Sequence, residues 1–336
     1  MEHKTFKAMV VKETEDKNYV RQIMEKSIDD LPAGDVLINV SYSSLNYKDA
    51  LSAIGNKGVT KKYPHTPGID ASGVIAASDS IAFEPGDKVI VTSYDLGMNT
   101  SGGFAAYIRV PAEWVVPLPE NLSLKESMIY GTAGFTAALS VHRMVEHGVT
   151  PSQGEILVTG ATGGVGSMAL SILAQNGYQV VASSGKPAEK QFLFDLGARE
   201  VISRDEVLDS SDKPLLKGRW AGVIDTVGGN ILATAIKSTK TGGAVTCCGN
   251  VASDDLPLTV YPFILRGVSL FGIDSQNCPM PARLQVWRKI ADKWKLKGLD
   301  RLISEISLDE LDHNIDQILQ GKLKGRTVVN LSGFHP

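Results

Sequence analysis

The chain has 336 residues, 43% hydrophobic and 21% charged, with a formal net charge of −3. That length favours two domains over one. The charge balance excludes a basic nucleic-acid-binding face, and no apolar run is long enough to cross a membrane. The opening stretch MEHKTFKAMVVKETED lacks the apolar core of a signal peptide. Cys247, Cys248 and Cys278 form no CxxC pair, so a reduced, cytoplasmic setting is expected.

Residues 1–125 read as short strands broken by glycine and proline. DVLINVSYS alternates apolar Val36, Ile38 and Val40, and GVIAAS, GDKVIVTS and GGFAAYIRVP follow. This is an all-β pattern. From 126 to 275, strand-like runs alternate with helix-like ones: EILVTG, VGSMALSILAQNG, QVVASS, PAEKQFLFDLGA, EVIS, AGVIDTVG, GAVTCCG and VSLFGID. Alternation of this kind implies a parallel sheet with crossover helices, and six short strands fit a doubly wound dinucleotide fold. Farther on, PARLQVWRKIADKW places Leu284, Trp287, Ile290, Ala291 and Trp294 on one helical face. SLDELDHNIDQIL opens with a capping box of Ser307 and Glu310. GRTVVNL is a final strand returning to the first domain. The expected division is 1–125 with 276–336, and 126–275.

The densest motif is LVTGATGGVG, residues 157–166. Gly163 and Gly166 have the spacing of the second and third glycines of G-x-G-x-x-G, with Ala161 at the first. The stretch follows a strand and precedes an amphipathic helix (Val165, Met168, Ala169, Ile172), the context the motif requires. Missing side chains let a backbone approach a pyrophosphate, and a helix N-terminus supplies N–H donors and a positive dipole end. Ala161, Thr162, Gly163, Gly164, Val165 and Gly166 are therefore candidate cofactor contacts; the alternative is a tight turn with no ligand. NAD sites commonly carry an acid about 20 residues beyond the glycines. Here VVASSGKPAEK has none between Val180 and Pro187. Ser183, Ser184, Gly185 and Lys186 suit the 2′-phosphate of NADP instead, unless they form only a solvated loop. Arg204 in ISRDE is a second candidate cation, or an ordinary surface arginine.

Together the β-rich first part, VTGATGGVGS and the returning C-terminal segment resemble the medium-chain dehydrogenase/reductase superfamily over the whole chain, with GTAGFTA (131–137) a further marker. Within it, SSLNYKDAL (43–51), PGIDASG (67–73), DTVGG (225–229), PFILRGVSLFGIDS (262–275) and GRTVV (325–329) are similar to the YhdH/YhfP group. Its members are named quinone oxidoreductases and include acrylyl-CoA reductases. The resemblance implies an α/β protein: a GroES-like β-rich barrel domain plus a doubly wound Rossmann domain, assembled as a homodimer through edge strands of the latter. Zinc alcohol dehydrogenases of the superfamily carry Cys in the segment matching SLNYKDA and a His-Glu pair in that matching PGIDASG. Asn46–Tyr47 and Ile69–Asp70 stand there in this chain, and TSYDLGMNTSGG replaces the four-cysteine structural lobe. Zinc ligands at matched spacing are not offered, so no metal site is expected. His65 and the other histidines read as surface or packing residues.

Without zinc, hydride donation from NADPH to a double bond conjugated to a carbonyl, or to a quinone, is expected over alcohol oxidation. The protein must align donor and acceptor and offer hydrogen bonds to the developing enolate. The resemblance places Tyr47 and Asn46 at the nicotinamide end, as candidate catalytic residues. Tyr47 could bond the carbonyl, orient the nicotinamide or relay a proton, or only pack. Asp49 is expected to anchor its loop. By resemblance Thr136, Gly249 and Asn250 (end of the fifth strand), Ile273, Asp274 and Ser275 (end of the sixth) and Arg326 join Tyr47 as cofactor contacts. Cys247 and Cys248 read as packing residues. The expectation is a zinc-independent NADPH oxidoreductase acting on an enoyl-CoA, enone or quinone, with no nucleic-acid or membrane partner. The alternatives are a non-enzymatic NADPH-binding redox sensor and an alcohol dehydrogenase.

Overall fold

The structure, a computed structural model, describes residues 5–211 and 213–333. They divide into two compact units, one comprising the described residues up to Thr132, Gln276–Ala291 and those from Gly298 onward, the other Ala133–Ser275 and Asp292–Lys297.

The first unit opens with an antiparallel ribbon of β1 (Thr5–Glu13) and β2 (Tyr19–Ser27). Then come β3 (Val36–Leu45), α1 (Tyr47–Ala53), β4 (Asp70–Ser78), β5 (Lys88–Thr92), β6 (Tyr107–Val110) and β7 (Val116–Pro117). The alternation in β3 buries Val36, Ile38 and Val40 against Val89, Val91 and Ile108. Each such side chain contributes roughly 1.5–3 kcal/mol of burial free energy. Helix α1 departs from the all-β reading of residues 1–125. Asn46 at its N-cap and Asp49 three residues on form a capping box, with the Asp49 carboxylate accepting the Asn46 N–H at 2.8 Å. That pairing satisfies a donor the helix would otherwise orphan.

Helix α2 (Leu124–Glu146) is broken at Gly131, whose φ of 50° and ψ of −157° are not helical. Its first segment belongs to the β-rich unit, so the boundary falls after Thr132 and not at 125.

The second unit alternates β8 (Glu155–Val158), α3 (Gly164–Gln175), β9 (Gln179–Ser184), α4 (Lys190–Asp195), β10 (Glu200–Ser203), α5 (Arg204–Val207), β11 (Trp220–Asp225), α6 (Gly229–Lys237), β12 (Thr239–Cys247), α7 (Tyr261–Arg266) and β13 (Ser269–Gly272). The six strands are all parallel, in the order β10-β9-β8-β11-β12-β13. This is the doubly wound arrangement, in which a ligand crevice lies beyond the carboxyl ends where the strand order reverses.

The chain then rejoins the first unit through α8 (Met280–Ala291), β14 (Ile303–Ser307), α9 (Leu311–Leu319) and β15 (Arg326–Asn330). Strand β15 pairs antiparallel with β3 and parallel with β14, completing a seven-stranded sheet. Two details differ from the sequence pattern. Helix α8 ends at Ala291, so Trp294 lies beyond it; Asp292–Lys297 belong to the second unit, where Gln175 bonds the backbone of Lys295 and Lys297. Ser307 closes β14, and its N–H and hydroxyl both donate to the Glu310 carboxylate, one residue ahead of α9.

Candidate active site

The turn from β8 into α3 is shaped by glycine. Gly160 has φ +58°, and a Cβ on Gly166 would drive into the Gly160 carbonyl oxygen. The left-handed residue of this turn is therefore Gly160, while Ala161 is fully buried and donates its N–H to Ser183 O at 3.1 Å. Gly163 is the N-cap, and its carbonyl accepts the Ser167 N–H at 2.9 Å. At a helix start the N–H groups of Gly164, Val165 and Gly166 have no intrahelical acceptor. Eight residues of α3 from Gly166 to Leu173 are buried, which holds this terminus in place.

Pairing of Ser184 with Ser203 brings the ends of β9 and β10 side by side. Ser183 and Ser184 are buried, Ser184 Oγ accepts the Lys186 N–H at 3.0 Å, and Thr162 Oγ1 lies 3.5 Å from Ser184 Oγ. A Cβ on Gly185 would stand 2.8 Å from the Arg204 guanidinium, so Gly185 lets that cation lie against the strand end. The fold thus gathers Thr162, Ser184, Gly185, Lys186 and Arg204. Nearby Glu206 is committed to capping Ser203, which holds its carboxyl below the usual range.

Beyond the ends of β12 and β13, Gly249, Asn250 and Ile273 line a cavity of about 490 Å³ with Cys247, Cys248 and Gly228. Asp274 is exposed and outside that lining. Thr136 Oγ1 donates to Ser275 Oγ at 2.7 Å. Burial, with Asp225 adding to it, pushes the Cys248 thiol up to about 12; burial also raises Cys247. Neither thiol is activated as a nucleophile.

In the β-rich unit, Asp70 centres a buried polar network. Its Oδ2 accepts from Ser44 Oγ at 2.6 Å and Asn46 Nδ2 at 2.7 Å; its Oδ1 accepts from Thr132 Oγ1 at 2.6 Å. Arg326 donates to Ile129 O at 3.0 Å, Asn46 Oδ1 at 3.2 Å and Ser44 Oγ at 2.7 Å, and lies 3.8 Å from Asp70. Asp49 accepts from Asn46 N and Ile69 N, both at 2.8 Å. Burial, then the neighbouring Asp70 charge, raises its pKa to about 7.

Two expectations change here. The Arg326 guanidinium is turned into this network and not out toward a cofactor, because it supplies the positive charge that two buried carboxylates need. Asn46 has both ends of its amide engaged, Nδ2 by Asp70 and Oδ1 by Arg326, so its side chain is committed to its neighbours. Tyr47, the first residue of α1, is 50% exposed and its hydroxyl has no hydrogen-bond partner among the described residues. Asp70, Ser44 and Thr132 were not among the sequence candidates. They lie inside the PGIDASG, SSLNYKDAL and GTAGFTA segments, but nothing in those segments shows that the three side chains meet. His65 is buried, with Nε2 2.9 Å from Gly97 O, as a packing residue. Among the described residues no cluster of three or more His, Cys, Asp or Glu could hold a metal ion, and no helix is long and apolar enough to cross a membrane.

Residues 32–120 match the model of the alcohol dehydrogenase GroES-like domain, and residues 164–292 that of the zinc-binding dehydrogenases. YhfP of Bacillus subtilis, which carries a quinone-oxidoreductase name, is 49% identical over 91% of this chain and 93% of its own. The structure of YhfP with NAD bound superposes with a TM-score of 0.95, covering 97% of this chain and 99% of that one at 46% identity. The acrylyl-CoA reductase AcuI of Ruegeria pomeroyi is 42% identical over 97% of this chain and 99% of its own. The YhdH oxidoreductase of Salmonella enterica, solved with NADP, is 40% identical with a TM-score of 0.93, covering 96% of this chain and 99% of that one. With its GroES-like unit, its parallel six-stranded unit and relatives matched nearly end to end, the chain belongs to the medium-chain dehydrogenase/reductase superfamily, in the YhdH/YhfP group of oxidoreductases.

Proposed function

We propose that the protein is a zinc-independent, NADPH-dependent reductase of double bonds conjugated to a carbonyl, with an acrylyl-CoA-like thioester as its foremost acceptor and quinones as a broader class. The observation that carries this reading is the strand end at Ser183–Lys186. It lies beside a glycine-rich turn, offers two buried hydroxyls and a backbone opening onto Arg204, and has no carboxylate of its own. A dinucleotide with a 2′-phosphate fits that chemistry, and one recognised by its ribose hydroxyls alone does not.

The N–H groups of Gly164, Val165 and Gly166 would hold the pyrophosphate, and Ser183, Ser184, Lys186 and Arg204 the 2′-phosphate. Thr136, Gly249, Asn250, Ile273 and Ser275 would border the nicotinamide half. Bound NADPH supplies a hydride. The chain's own contribution is to orient the acceptor and stabilise the enolate that forms; we assign the carbonyl-directed hydrogen bond to the free hydroxyl of Tyr47. Among relatives, the NADP in YhdH and the name of AcuI support the cofactor and the acceptor class.

The fit to zinc is poor. Asp70 already accepts from three side chains, Asn46 is paired at both ends, and neither sulfur nor imidazole joins them. We also assign a second copy of this chain to the apolar surface of Val260, Tyr261, Ile264 and Leu265, all exposed beside edge strand β13.

The test is NADPH oxidation by EDTA-treated protein with acrylyl-CoA, a simple enone and 1,4-benzoquinone as parallel acceptors. Rapid turnover of the thioester supports the proposal in its sharpest form, and quinone turnover alone supports only the broader class. Silence with all three, despite NADPH binding, would overturn it in favour of a binding protein.

A further inference from the structure

Tyr47 is held by nothing at its own hydroxyl, yet the assignment above asks it to point in one direction. What could fix it lies beneath it. Asn46, the residue before it, gives its N–H to Asp49 Oδ2 and its amide to Asp70. Asp49 Oδ1 accepts the Ile69 N–H, and Ile69 O accepts the Ser93 N–H at 2.7 Å. Ser93 Oγ is 2.8 Å from Thr132 Oγ1. The single hydroxyl hydrogen of Thr132 is donated to Asp70 at 2.6 Å, so Ser93 must be the donor to Thr132. The hydrogen bonds therefore close a circuit: Asn46, Asp49, Ile69, Ser93, Thr132, Asp70 and back to Asn46.

The far side of the circuit is itself anchored. Ser93 and Tyr94 have φ of 63° and 50°, uncommon for residues with a Cβ. Such backbone persists only where its surroundings over-determine it. Here the Arg283 guanidinium lies 4.3 Å over the Tyr94 ring, Trp114 stacks on that ring at 5.7 Å, and Gln276 O accepts the Tyr94 N–H at 3.2 Å. The Gln276 side chain accepts from Lys48 Nζ at 2.7 Å, a second tie to the residue following Tyr47.

We propose that Asp70 and Thr132 are positioning residues for the reaction: through this circuit they lock the start of α1 to the Ser93–Tyr94 turn and so set the direction of the Tyr47 hydroxyl. The proposal rests on the function proposed above. It names two residues that touch neither cofactor nor substrate and act only through Tyr47.

Thr132→Val keeps the shape and removes both side-chain bonds; Thr132→Ser keeps them. The expected result is a loss of kcat of about tenfold or more for the valine variant, the range of small misplacements, with NADPH affinity unchanged and activity restored by serine. In a Tyr47→Phe background the valine substitution should add little, since both act on one group. Amide hydrogen exchange of residues 46–53 should quicken in Thr132→Val and not in Thr132→Ser. An undiminished valine variant, or a full additional loss in the Tyr47→Phe background, overturns the proposal. A wild type silent toward every acceptor refutes the proposed function instead. The exchange measurement then decides alone: faster exchange in the valine variant supports the locking circuit, and unchanged exchange overturns it.

Discussion

Gly131 lies directly against the Asp70 carboxylate: a Cβ at Gly131 would stand 2.5 Å from Oδ2 of Asp70, 2.6 Å from Ser44 Oγ and 2.9 Å from an Arg326 nitrogen. The break in α2 and the buried network thus depend on one missing side chain. Gly131→Ala would face both a left-handed φ and a collision with fully packed polar atoms. We expect a loss of roughly 2–4 kcal/mol in urea unfolding, against a smaller loss of about 1 kcal/mol for Gly177→Ala, where φ is also positive and strained for a side chain but no atom lies within 4 Å to collide with it.

Lys186→Ala and Arg204→Ala should each weaken NADPH more than NADH. A hydrogen bond to a charged group contributes about 1.5–3 kcal/mol, so a loss of roughly tenfold in NADPH affinity is expected, read by fluorescence titration with both nucleotides. Equal weakening of the two would remove these residues from the 2′-phosphate.

Tyr47→Phe should lower kcat by about a hundredfold, within the range for a donor that acts on developing charge, and leave NADPH affinity nearly unchanged. Because the side chain is half exposed, its loss should hardly move the unfolding midpoint. Unaltered turnover would exclude Tyr47 from the chemistry.

Asp49 makes a prediction about pH. Burial raises its pKa from 3.8 to about 7, so between those values the native protein holds a proton the unfolded chain has released. Its contribution to stability is fully present below 3.8 and is lost as pH rises through about 7. Asp49→Asn carries no titration, so its stability relative to wild type should improve between about pH 4 and about pH 7 and level off above. Urea unfolding across that range checks it; parallel curves would contradict the shift.

Ile264→Glu should convert a dimer to monomers in light scattering, since Ile264 is 67% exposed on α7 with Val260, Tyr261 and Leu265 around it. A monomeric wild type would refute the assigned partner.

Local chemistry along the chain determined a good deal. Period-two burial in β3, the alternation of strands and helices from Glu155 to Gly272, the glycine turn and the absence of an acid at Ser183–Lys186 are properties of neighbours in sequence. They were legible without coordinates, as was the family through its motifs. The capping box that starts α1 was also written in Asn46 and Asp49, but a seven-residue helix among strands carries too little periodicity to stand out. Only the tertiary structure decided that Gly160, and not Ala161, is the left-handed residue of the turn. It also decided that Arg326 faces Asp70, that Asn46 is consumed by its neighbours, and that Gly131, Ser93 and Thr132 belong to the same site. The reason is physical: a hydrogen bond such as Arg326 to Ser44 joins residues 282 positions apart, and a buried charge finds its partner through the fold, not through the spacing of residues along the chain.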